Sequence, residues 1–190
     1  MQPIAKQPLP GLILLFVSLV ASVLLLLLSA PERARAETGN QITCLSGVHT
    51  ATWSPGLTNT AQRVDVSTKS HWGPCYSPSS DLGVLASAEQ RFQATFSCRD
   101  LRNLASPITW EIRWDDQTTS LYTFNTTLQE MDNQDTAVVG VGYIEKGRYE
   151  GARAITVFVL GNLDSMSNND CASPSGMSRL SGHSMLFISD

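Results

Sequence analysis

The sequence predicts an all-β fold: an antiparallel sandwich of about eight strands, with a closed β-barrel as the alternative, preceded by a hydrophobic N-terminal targeting helix. Two observations point there. Apolar and polar residues alternate with a period of two along most of the chain beyond Gln41, which gives a strand one buried and one wet face. Turn-forming Gly, Pro, Asp and Asn cluster between the alternating stretches, and none of those stretches carries the periodicity of a helix. Short antiparallel strands at such spacing build a sandwich or a barrel.

The chain opens with one cation, Lys6, and an uncharged apolar run from Gly11 to Ala30. A secretory signal needs a basic start, an apolar middle and a small-x-small exit; Ala34-Arg35-Ala36 supplies the exit before Glu37, so residues 1–36 read as a cleaved signal peptide. The run is longer than the roughly 7–15 residues usual for a signal, and about 20 apolar residues can span a bilayer. A membrane anchor through residues 11–30 is therefore the alternative. Both readings place residues 37–190 outside the cell as a single β domain, secreted in the first case and tethered in the second.

Within that domain the first strand is expected from Gln41 to Trp53, ending at the turn Ser54-Pro55-Gly56. Val64, Val66 and Trp72 mark the second, and Phe92, Ala94, Phe96 and Cys98 the third. The alternation is cleanest from Ile108 to Trp114, where Ile108, Trp110, Ile112 and Trp114 share one face and Thr109, Glu111 and Arg113 the other. After Asp115-Asp116-Gln117, a strand carries Tyr122, Phe124 and Leu128 on one face. Thr136 to Glu145 follows, with Val139, Val141 and Tyr143 expected inward. A turn from Lys146-Gly147 through Gly151 leads to strands at Ala152–Leu160 and His183–Ser189.

Removing residues 1–36 leaves 154 residues, enough for one domain with a full core. It takes Lys6, Arg33, Arg35 and Glu32 from totals of 13 cations and 17 anions, so the remainder has 10 against 16 and a formal charge of −6. An acidic balance without a basic stripe argues against a nucleic-acid partner. All four cysteines, Cys44, Cys75, Cys98 and Cys171, lie beyond the signal, and an even count in an exported chain reads as two disulfides. Their spacings are too wide for a zinc site. Counting strands in a simple up-and-down order leaves Cys44 and Cys75 at one end of the sheet and Cys98 and Cys171 at the other, so those are the expected pairs.

Several short motifs recur together: Cys44-Leu-Ser-Gly47, Ser54-Pro-Gly-Leu-Thr58, Gly73-Pro-Cys75, Phe96-Ser-Cys98, Ile108-Thr-Trp110 and Gly147-Arg-Tyr-Glu-Gly-Ala152. In this order they resemble small secreted four-cysteine β-proteins of actinobacteria, which are usually uncharacterised. The resemblance spans nearly all of the chain beyond the signal and implies export and a β fold. It carries over no functional residue.

The chemistry-bearing residues are sparse. Glu111 and Asp115 share a strand face, but four residues at about 3.3 Å each put them roughly 13 Å apart, beyond the roughly 5–9.5 Å of glycosidase carboxylate pairs. His49, His71 and His183 follow no metal-site spacing, and no G-x-S-x-G elbow, P-loop or dinucleotide fingerprint is present. The oxygen-rich segment Gly161–Asp170 has ligands a calcium ion would accept, without the spacing of an EF-hand loop, and reads as a turn. Trp110 and Trp114 share their face with two isoleucines and read as core rather than as a sugar-stacking platform, while Trp53, beside the Pro-Gly turn, is the candidate exposed aromatic. Asn125-Thr-Thr127 is a formal glycosylation sequon.

We therefore assign no catalytic residue, cofactor or metal ligand from the sequence. The expected function is a non-enzymatic β-module acting outside the cell on an extracellular protein or glycan. A hydrolase assembled around one of the three histidines, or a small-ligand-binding barrel, are the alternatives. A histidine meeting a carboxylate in a pocket would favour the hydrolase, and a deep apolar cavity the carrier.

Overall fold

A computed structural model describes residues 41–78, 80–104, 107–131 and 134–190. The expected signal segment lies outside these residues. The strands are β1 (Ile42–Cys44), β2 (Gly47–Leu57), β3 (Gln62–Ser77), β4 (Ser80–Phe96), β5 (Ile108–Trp114), β6 (Thr119–Glu130), β7 (Thr136–Gly147), β8 (Arg153–Gly161) and β9 (Met177–Ser189). A 3-10 turn, Cys98–Arg102, follows β4, and a short helix α1, Leu163–Asn168, follows β8. The all-β expectation holds, but two short helical segments occupy stretches expected as loops.

Each strand from β2 to β9 pairs antiparallel with the next in sequence, and β9 pairs back onto β2 through Val48↔His183 to Thr52↔Arg179. The sheet thus closes into an up-and-down eight-stranded barrel rather than the preferred sandwich. Alternation alone could not decide between them, because each gives every strand one buried face; the deciding contact joins the two ends of the chain. The strand expected from Gln41 to Trp53 is broken at Leu45-Ser46. Its first part, β1, lies between the ends of β9 and β3 (Ile42↔Ile188, Thr43↔Tyr76). Ser54-Pro55-Gly56, expected as a turn, lies inside β2, where the register with β9 shifts between Thr52 and Leu57. A bulge is where a strand tolerates proline.

Both disulfides join the pairs the strand count requires, Cys44–Cys75 at one end and Cys98–Cys171 at the other. The end with Cys44–Cys75 is packed solid. Trp72, Ile112, Tyr122, Ile144, Leu186 and Ile188 are all 2 % exposed or less. Their polar atoms are paired: Trp72 Nε1 donates to Ser184 Oγ at 2.8 Å, and Trp114 Nε1 to Ser120 Oγ at 2.9 Å. The Tyr122 hydroxyl lies 3.1 and 3.2 Å from the carbonyls of Gly140 and Ala154, and its burial raises the phenol pKa well above its ordinary value. Thr156 Oγ1 lies close to that phenol but outside hydrogen-bonding geometry. It is the buried side-chain polar atom left without a partner among the described residues.

On β7 the inward and outward faces are opposite to expectation. Val138, Gly140, Gly142 and Ile144 face inward, while Tyr143 is 61 % exposed and Val139 and Val141 lie outside. The reason is volume. A Cβ at Gly140 would lie 2.6 Å from the Phe124 ring, and one at Gly142 would lie 2.6 Å from Phe124 Cα and collide with the Thr123 carbonyl. Opposite the Phe124 ring the inward positions of β7 can therefore hold only glycine, and this fixes the phase that turns Val139, Val141 and Tyr143 outward.

Candidate functional site

The other half of the barrel is hollow. Inward residues there enclose a cavity of about 570 Å³, walled by apolar and aromatic side chains that include Trp53, Trp110, Phe124, Phe158, Leu160 and Leu180. This volume falls in the roughly 300–1,000 Å³ range of small-molecule sites. Trp53 is 5 % exposed and lines the cavity, contrary to its expected exposure. The alternation His49-x-Ala51-x-Trp53 turns all three side chains inward. Trp110 and Trp114 are buried, at 8 % and 3 %, and Trp110 is also part of the cavity wall.

The barrel wall is incomplete between β4 and β5. These strands pair only through Ala86–Ala88 with Trp114–Ile112, so β4 beyond Glu89 has β3 alone as its neighbour. Gln90 partly bridges the seam, its Nε2 donating to Thr109 O at 3.2 Å. Phe92 lines the cavity yet is 46 % exposed, which places the mouth at this seam. Leu101 and Leu104, from the 3-10 turn and the residues after it, cover the hollow end. The turn is held by Asp100, whose Oδ2 accepts from Ser97 N at 2.7 Å and Ser97 Oγ at 2.8 Å. It is also tied to α1 by the Arg102–Asp164 ion pair and to the segment after α1 by the Cys98–Cys171 disulfide.

His49 is the histidine inside the barrel. Its ring stacks on Trp110 at 5.7 Å and 14° and packs on Phe158 at 4.6 Å. Its Nδ1 lies 2.8 Å from Ser70 Oγ on the adjacent strand. Burial among these apolar rings lowers the His49 pKa to about 4, because the site disfavours the charged imidazolium. The groups packed on the ring, Ser70, Trp110 and Phe158, carry no charge, and Asp100 at the cavity rim is occupied by Ser97. His71 and His183 lie on the outer face, each the cross-strand partner of Val48. The three histidines are therefore not brought together.

The remaining sequence candidates serve structure or solvent. Glu111 pairs with Arg113 at 2.9 Å on the exposed face, and Asp115 Oδ2 accepts from Leu85 N at 3.1 Å. In the oxygen-rich segment, Asn162 Oδ1 caps α1 through Ser165 N at 2.8 Å and Asp164 engages Arg102. Among the described residues no three His, Cys, Asp or Glu side chains group closely enough to hold a metal ion.

The His49 shift makes stability depend on pH. The unfolded chain binds a proton at its ordinary pKa of 6.5 and the folded chain only near 4, so folding loses stability as pH falls between those values and gains nothing above them. The shift corresponds to at most about 3 kcal/mol. Urea unfolding at neutral pH and at the acid end of this window should show that loss in the parent beyond whatever loss His49→Phe shows. Equal losses would mean that the folded ring protonates normally.

No family model matches the chain, and no curated protein or solved structure is significantly similar to it.

Proposed function

We propose that this domain is a non-enzymatic binding protein for a small, mainly apolar ligand held in the hollow half of the barrel. The carrying observation is the apolar cavity of about 570 Å³ beneath an incomplete seam, in a barrel whose other end is filled. The hydrolase alternative has less support. His49 meets a serine, not a carboxylate, and although Ser70 and His49 resemble half of a nucleophilic pair, Ser70 is 0 % exposed and does not line the cavity. A substrate carbonyl has no route to its Oγ.

N-phenylnaphthylamine, a neutral fluorophore, is expected to bind saturably with one site per chain and to quench tryptophan emission, since Trp53 and Trp110 line the cavity. Ala94→Phe adds a ring at the mouth and should weaken that binding at least tenfold, with little loss of folding stability. Unsaturable binding, or binding indifferent to Ala94→Phe, would remove the carrier reading.

We also propose that the domain works outside the cell. Two disulfides fit an oxidising compartment, and the Ala34-x-Ala36 exit gives the mature start. Amino-terminal sequencing of protein from the culture medium should begin at Glu37; an intact Met1 in the membrane fraction would favour the anchored form instead.

A further inference from the structure

Within the carrier reading, on which this step rests, the polar atoms of the cavity restrict what the ligand is. His49 has two ring nitrogens, and Nδ1 is engaged by Ser70. Nε2 has no protein partner among the described residues, yet it is not among the sealed unpartnered atoms, so it is open to the cavity that His49 lines. Its proton can be assigned by satisfaction. Ser70 is 0 % exposed, and among the described residues its hydroxyl has His49 Nδ1 as its one partner. Were Nδ1 protonated, the serine proton would be buried without an acceptor, at a cost of about 1–3 kcal/mol. Ser70 therefore donates to Nδ1, and a neutral His49 carries its proton on Nε2. The depth of the cavity presents a hydrogen-bond donor.

Charge and shape narrow the choice further. Among the described residues no lysine or arginine lines the cavity, and the one carboxylate there, Asp100, already accepts two hydrogen bonds from Ser97. A charged ligand would be desolvated without a counter-ion. Trp53, Trp110, Phe124 and Phe158 supply flat faces beside His49, and stacked or edge-on ring contacts add to simple burial.

We propose that the barrel takes a neutral, planar ring compound bearing a carbonyl-type oxygen, which accepts the Nε2 proton of His49 while the ring packs between Trp53, Trp110 and Phe158. Three probes test this by displacement of N-phenylnaphthylamine: methyl naphthyl ketone, isopropylnaphthalene of nearly the same shape without an acceptor, and a straight-chain methyl ketone of equal carbon count. The naphthyl ketone should bind the parent about tenfold tighter than isopropylnaphthalene, the equivalent of one net hydrogen bond, and also tighter than the straight-chain ketone. In the double variant His49→Phe with Ser70→Ala, which leaves no orphaned hydroxyl, the two naphthalenes should bind alike. Isotope-edited NMR of the parent should find the His49 proton on Nε2. Equal binding of the two naphthalenes to the parent, an undiminished preference in a folded double variant, a straight-chain ketone binding as tightly as the naphthyl ketone, or a proton on Nδ1 would each overturn the proposal. Failure of N-phenylnaphthylamine itself to bind would instead remove the carrier reading beneath it.

Discussion

Trp72→Ala is expected to cost the upper end of the about 3–5 kcal/mol typical of a buried Trp truncation. The indole is 2 % exposed in the filled half of the barrel, among other fully buried side chains. Its Nε1 is the hydrogen-bond partner of Ser184 Oγ, which is itself 0 % exposed, so truncation creates a void and strands a buried hydroxyl together. Trp110→Ala is the informative comparison. Trp110 lies 6.2 Å from Trp72 between ring centroids, but it also walls the cavity, so the space it vacates joins a volume already open at the seam. Its cost should fall at the lower end of the same range. Urea unfolding of both variants measures the difference; a larger loss for Trp110→Ala would mean that the hollow half, not the filled half, carries the packing energy.

How far these features were legible in the sequence depended on whether local pattern or chain closure decided them. The β5 alternation, Ile108-x-Trp110-x-Ile112-x-Trp114, predicts its inward face because adjacent strands leave room for all four residues. The same reasoning fails on β7. There the interior is filled by Phe124 and Tyr122 from the neighbouring strand, and two of the inward positions, Gly140 and Gly142, are glycines whose smallness looks in sequence like an absence of signal. The disulfide pairs were legible because they depend only on the parity of strand direction, which an up-and-down barrel and an idealised meander share. Barrel closure was not, since β2 and β9 are far apart in sequence and nothing local to either names the other.

The site was legible in part. His49 stood among the candidate residues, and its phase with Ala51 and Trp53 was available from the same period-two count that located β5. What hid the group was the weight given to the Ser54-Pro55-Gly56 turn, which drew Trp53 towards solvent, whereas the strand runs on through a bulge to Leu57. The cavity itself has no sequence signature. Its mouth lies where β4 and β5 part after Ala88, and a strand that loses one neighbour looks the same in sequence as one that keeps both.

Removing the Cys98–Cys171 bridge, as Cys98→Ala with Cys171→Ala, should destabilise the domain by about 4.5 kcal/mol on the loop-entropy estimate, against about 3.7 for Cys44→Ala with Cys75→Ala. The difference follows from sequence separations of 73 and 31 residues. Stability alone separates the two bridges poorly, because the estimates differ by less than 1 kcal/mol. Ligand binding separates them well. Cys98 begins the 3-10 turn that places Leu101 over the cavity, and Cys171 follows α1, which Arg102 and Asp164 join to that turn. Without the bridge the turn retains Cys98 N to Thr58 O at 2.9 Å and the Arg102–Asp164 ion pair, the latter exposed and weak. The roof over the cavity should loosen, and N-phenylnaphthylamine should bind several-fold more weakly at a temperature where the variant is fully folded. Cys44–Cys75 lies at the filled end, where it holds β1 against β3, so its loss should lower the melting temperature and leave affinity unchanged. Equal weakening by both double variants would show that the bridges act only through global stability and that the turn Cys98–Arg102 does not shape the site.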